Sequence, residues 1–130
     1  MKNQRTILTT ACVFASLAVI LGAFGAHTLK EKISPELLLS FETGVRYQFY
    51  HALALLLLGI LIKDFQNRFT KWAAIFFTAG IIFFCGSIYI LSIRDIIGLE
   101  NYKWLGPITP LGGVCFIIGW ASLLLSVRKK

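Results

Sequence analysis

Carboxylates are scarce in this 130-residue chain. Six Asp and Glu stand against thirteen Lys and Arg, a net charge of +7, and none of the six falls within a long apolar run. Proton-coupled transport normally draws on an intramembrane carboxylate, so the lack of one counts against that class. Cysteine is scarcer still. Cys12, Cys85 and Cys115 stand alone in apolar surroundings with no Cys-x-x-Cys spacing, which argues against a metal knuckle or a thioredoxin-like pair. Their expected role is that of small buried hydrophobes. The two histidines, His27 and His51, are too few for a zinc site of three or four protein ligands. No metal or cofactor is expected. Charged residues make up 15% of the chain and fall between and outside the apolar blocks. They leave no platform for a nucleic-acid groove.

What the chain does have is apolar length. Hydrophobic residues reach 57% and the mean hydropathy +0.76, well above soluble usage. Four stretches, about 6–27, 45–62, 70–93 and 110–127, are long enough to cross a hydrocarbon core that takes roughly 20 residues. The predicted fold is therefore all-α, a single domain over 1–130 forming an antiparallel integral-membrane four-helix bundle. Met1 to Arg5 followed by an apolar run to Gly25-Ala26 also resembles a secretory signal. That run exceeds the ~7–15 residues of a signal core, so a retained first span is expected.

The second span organises the rest. From Arg46 to Ile62 a polar, aromatic opening, Arg-Tyr-Gln-Phe-Tyr-His, leads into an unbroken apolar run. Ahead of it Ser34-Pro35-Glu36 reads as an N-cap, a first-turn proline and an acid suited to the helix dipole. The second helix should thus begin outside the membrane, as an extracytoplasmic extension carrying Leu37, Leu38, Leu39 and Phe41. Glu42 and Arg46 are spaced for an i,i+4 pair. Residues 63–71 form a short polar turn. The longer segment 94–109 carries Ile96, Ile97, Leu99, Tyr102 and Trp104 and suits the interfacial zone, with Arg94 and Asp95 as a local pair. Thr109 is a plausible N-cap for the fourth helix, with Pro110 its first residue.

Cations assign the sides. With four crossings, Lys2, Arg5, Lys63, Arg68, Lys71, Arg128, Lys129 and Lys130 share one side, and Lys30, Lys32, Arg46, Arg94 and Lys103 the other. Eight against five places both termini in the cytoplasm. Small residues mark the seams: Ala11, Ala15, Ala18, Gly22, Gly25 and Ala26 in the first span, and Gly112, Cys115, Gly119, Ser122 and Ser126 in the fourth. Thr78, Cys85 and Ser92 share a face of the third. Such stripes permit close backbone approach, within the bundle or between copies in a homo-oligomer.

The candidate site is a polar cluster in the outer leaflet. His51 is expected a turn or two inside the outer boundary, with His27 on the same side. Hydrogen-bonded to Ser87, Thr109 or a backbone carbonyl, His51 would simply hold the bundle together. Alternatively His27, Arg46, Tyr47, Gln48, Tyr50 and His51, with Ser87 and Thr109 nearby, form a pocket for a lipid head group or small anion. Ser87 with His51 as a nucleophile and base would need an orienting acid, and only Glu42 or Asp95 could supply it from the membrane surface. No catalytic residues are assigned, and a non-enzymatic role is expected. An oligomeric small transporter or channel subunit is the alternative, although residues 53–62 offer no polar step across that half of the membrane.

Four ordered motifs carry a resemblance. Gly22-Ala23-Phe24-Gly25-Ala26-His27, Arg46-Tyr47-Gln48-Phe49-Tyr50-His51-Ala52-Leu53-Ala54, Gly86-Ser87-Ile88-Tyr89 and Pro107-Ile108-Thr109-Pro110-Leu111-Gly112-Gly113 together resemble the small bacterial membrane proteins of the YgdD/YwdK type. The resemblance covers nearly the whole chain. It implies a four-span plasma-membrane protein and, because that family is uncharacterised, no activity. The basic tail Arg128-Lys129-Lys130 and the polar third loop with Arg94-Asp95 read as peripheral variation.

Overall fold

A computed structural model describes residues 2–128. Met1 and two of the cations used for orientation, Lys129 and Lys130, lie outside the described residues. The helices are α1 (Lys2–His27), α2 (Pro35–Leu61), α3 (Arg68–Gly80), α4 (Gly86–Ser92) and α5 (Ile108–Arg128). A π-helical turn, Ile81–Cys85, joins α3 to α4 without a break, so the pair makes one span, Arg68–Ser92. Four helices are thus long and apolar enough to cross a membrane.

Local chemistry sets the helix starts. At α2 the Ser34 hydroxyl accepts the Leu37 N–H at 3.3 Å and Pro35 occupies the first turn, as the sequence predicts. The helix then runs for 27 residues, ~40 Å at 1.5 Å per residue. That exceeds a ~30 Å hydrocarbon core, and the added length over the predicted span lies in the helical turns ahead of Val45. Asn67 caps α3 by accepting the Phe69 and Thr70 N–H groups at 2.9 and 3.3 Å. The same side chain donates to the Ser126 carbonyl at 3.0 Å, while the Thr70 and Ser126 hydroxyls meet at 2.7 Å. One short turn is thereby stapled to the last turn of α5.

Two local expectations are corrected. The fourth span begins at Ile108, two residues before Pro110, and Thr109 is not its cap. A proline in the first turn forfeits only an N–H that has no intrahelical partner, and the Thr109 hydroxyl is committed to Ser87 at 2.6 Å. Glu42 and Arg46 do not pair. Arg46 instead donates to the Thr43 hydroxyl at 3.0 Å, which forfeits little, since an exposed i,i+4 pair contributes only about 0.2–0.5 kcal/mol. Among the described residues the ion pair that forms is Arg94–Asp95, at 3.9 Å, with Arg94 also lying over the Tyr102 ring at 4.7 Å. Gly98 adopts φ +66 in this loop, a conformation that glycine reaches without a Cβ penalty.

The helices alternate in direction. Gln4 donates to the Gly59 carbonyl at 2.9 Å and Gln48 to the Phe14 carbonyl at 2.8 Å, aligning α1 against α2. The start of α1, the end of α5 and the 62–67 turn therefore share one end, the terminal end, and the 28–34 turn and 93–107 loop share the other, the loop end. The small-residue stripes fall on seams inside the chain. Ala11, Ala18 and Gly25 are buried against α2, and Gly112, Gly119, Ser122 and Ser126 are buried toward the third span, with Cys115 half-buried. At Gly112 the approach is so close that a Cβ would lie 2.2 Å from the Phe84 backbone nitrogen in the π turn. The second, third and fourth spans form a three-way core around Leu55, Phe77, Cys85 and Phe116. The first span leans on α2 almost alone. Cys85 is buried as expected of a small hydrophobe, whereas Cys12 is exposed on the outer face of α1.

Candidate functional site

The predicted outer cluster separates into four places. His51 is ten residues from Phe41 and eleven from Ile62, ~15 Å along the helix from either. It lies well inside α2, sixteen residues from Pro35 and ten from Leu61. Its Nδ1 meets the Tyr47 carbonyl at 2.7 Å, and its Nε2 accepts the indole N–H of Trp120 at 3.1 Å. A nitrogen that accepts from indole carries no proton, which makes Nδ1–H the donor to Tyr47. The ring stacks on Phe116 at 3.6 Å and 12°. Both ring nitrogens are thus engaged, so His51 is a strut between α2 and α5, with no free lone pair for a metal or a substrate proton.

Gln48 is the second strut. Besides donating to α1, its Oε1 accepts the Tyr89 hydroxyl at 2.7 Å, so one buried side chain joins the first, second and third spans. Ser87 and Thr109 form the third place, joining the third span to the fourth at 2.6 Å, with Ser87 also donating to the Phe84 carbonyl at 3.0 Å. The Ser87 hydroxyl is thereby committed away from His51, and the serine–histidine pair weighed from the sequence does not assemble. Tyr47 packs its ring on Phe84 at 4.9 Å. His27 is exposed at the end of α1, about level with the start of α2, and is not brought near His51.

Arg46 and Tyr50 occupy the fourth place. Both are exposed and line a groove of about 330 Å³ between α1 and α2, walled by Ala18, Val19, Gly22 and Phe49. The groove exists because Gly22 lets Val45 approach to 3.3 Å of where a Cβ would stand. Trp120 and Tyr89, the partners of His51 and Gln48, were not among the residues singled out as a cluster. A signal was present: a tryptophan N–H inside an apolar helix needs an acceptor, because hydrocarbon offers none.

These observations define an integral membrane protein of four spans, built on buried interhelical hydrogen bonds. Residues 21–113 match the family described as "Protein of unknown function (DUF423)", and the chain belongs to that family. It is 48% identical over 115 residues to the UPF0382 membrane protein SAB0533 of Staphylococcus aureus, covering 88% of each chain. It is 40% identical over 127 residues to the UPF0382 membrane protein YwdK of Bacillus subtilis, covering 97% of this chain and 98% of that one. A UPF0382 membrane protein of Staphylococcus epidermidis is 42% identical over 126 residues. No solved structure matches.

Proposed function

We propose that this is a non-enzymatic protein of the bacterial plasma membrane, with both termini cytoplasmic, that holds an outer-leaflet phospholipid by its phosphate beside Arg46. One observation carries the reading. The Arg46 guanidinium is an exposed cation at the rim of an apolar groove, bonded to a hydroxyl rather than to a carboxylate. A cation about one turn below the loop end of the bundle is costly in lipid unless it snorkels or meets an anion, and guanidinium matches a phosphate diester in bidentate geometry. The groove walls receive the acyl chain, and the Tyr50 ring lies beside it. Gln48 holds together α1 and α2, the helices that shape this surface.

The reading is tested by native mass spectrometry of the full chain released from a mild membrane mimetic. Wild type should retain phospholipid and Arg46→Gln should lose about half of the adduct, while Arg46→Lys keeps more of it. Equal adducts on wild type and Arg46→Gln would refute the site.

A further inference from the structure

A second groove opens at the opposite end of the molecule. It lies between α1 and α3, is floored by Leu55 of α2 and by Ile62 just past its end, and measures about 600 Å³. Its existence follows from the packing already described: α1 leans on α2 alone, so nothing fills the cleft between the first and third spans. The cleft is polar at its mouth and apolar in its depth. Asn3 and Lys71 stand at the terminal end, Thr10 and Thr78 about two turns in, and Ile82 and Phe83 beyond. The lining holds no carboxylate. Arg5, Lys63, Arg68 and Arg128 surround the same end, where Asp64 is the sole acidic side chain among the described residues.

The geometry points to a site for an anionic phospholipid in this groove, its phosphate at Lys71 and Asn3 and one acyl chain running along Leu55 and Ile82. Charge and taper both select the occupant. Basic pockets between spans at the cytoplasmic surface suit anionic head groups, each nearby cation contributing about 1 kcal/mol of attraction. A second copy's helix, ~10 Å across with its side chains, would rest on the groove rather than enter it. The site is separate from the one beside Arg46. On α1 the lining positions Thr6 and Thr10 and the positions Val19 and Ala23 of the other groove fall on roughly opposite sides of the helix at 3.6 residues per turn.

The discriminating measurement is the ratio of bound phosphatidylglycerol to bound phosphatidylethanolamine, read by native mass spectrometry after release of the full chain from nanodiscs holding equal amounts of each. Both lipids carry the phosphate that Arg46 would read, but only phosphatidylglycerol is anionic overall. Wild type should favour phosphatidylglycerol at least twofold, because the unselective Arg46 site dilutes the preference, Lys71→Gln should bring the ratio close to one, and Lys71→Arg should preserve it. Arg46→Gln should lower total lipid and leave the preference standing, so the two sites fail independently. A wild-type ratio near one, or a preference untouched by Lys71→Gln, overturns the site. So does a dimer whose stability, in place of the lipid preference, responds to Lys71→Gln.

Discussion

His51 and Trp120 show how one buried polar contact fixes a residue's chemistry. The indole N–H can be satisfied only if His51 Nε2 is bare, and in hydrocarbon an unpaired N–H costs more than a modest interhelical bond returns. Trp120→Phe keeps most of the ring and removes the donor. It should lower stability by about 1–2 kcal/mol, between the average for interhelical side-chain bonds and the penalty for an unpaired buried acceptor. Reversible unfolding in mixed micelles measures the loss, and nitrogen NMR at neutral pH should find Nδ1 protonated and Nε2 bare. An unchanged unfolding curve would reduce the contact to coincidence. The sequence marked Gln48 and His51 as costly, because polar side chains within apolar runs stand out. It could not supply their partners. Trp120 lies 69 residues from His51 and Tyr89 41 residues from Gln48, and pairings at that separation are set by helix rotation, which composition does not encode.

At the scale of the element, the π turn and α5 decide how closely the third and fourth spans approach. A Cβ at Gly112 would strike the Phe84 backbone, while one at Gly86 meets nothing within 4 Å. Backbone cannot rotate away as a side chain can. Gly112→Ala should therefore cost about 3 kcal/mol or more by overpacking, whereas Gly86→Ala should be neutral or stabilising by up to about 1 kcal/mol through helix propensity. Thermal unfolding of both variants in one detergent makes the comparison, and similar melting temperatures would deny the close approach. Span positions and the small-residue stripes were readable from the sequence, since apolar length and three- and four-residue spacing are local properties. The start of the fourth span was misread because Thr109 has two uses, cap or interhelical partner, and only the position of Ser87 decides between them.

For the whole molecule, the terminal end carries the cation excess and the loop end most of the acids. Orientation should follow from that asymmetry. With Cys12, Cys85 and Cys115 replaced by serine, a cysteine at the exposed Glu100 should react with an impermeant thiol reagent in intact cells. A cysteine at the exposed Gln66 should react only after lysis. The reverse pattern would invert the molecule and move the Lys71 groove to the outer leaflet.

The uneven packing of the spans also bears on how the chain is made. Because α1 leans on α2 and on little else, and precedes it in the chain, α1 has to wait in lipid for its partner. Each later span then finds its docking surface already in place: the third on α2, and the fourth on the third through Gly112 and Gly119. Order of synthesis and order of packing coincide, as expected of domains that fold from the N-terminus during translation. The cleft beside α1 is what that order leaves behind, since neither the third nor the fourth span packs against it.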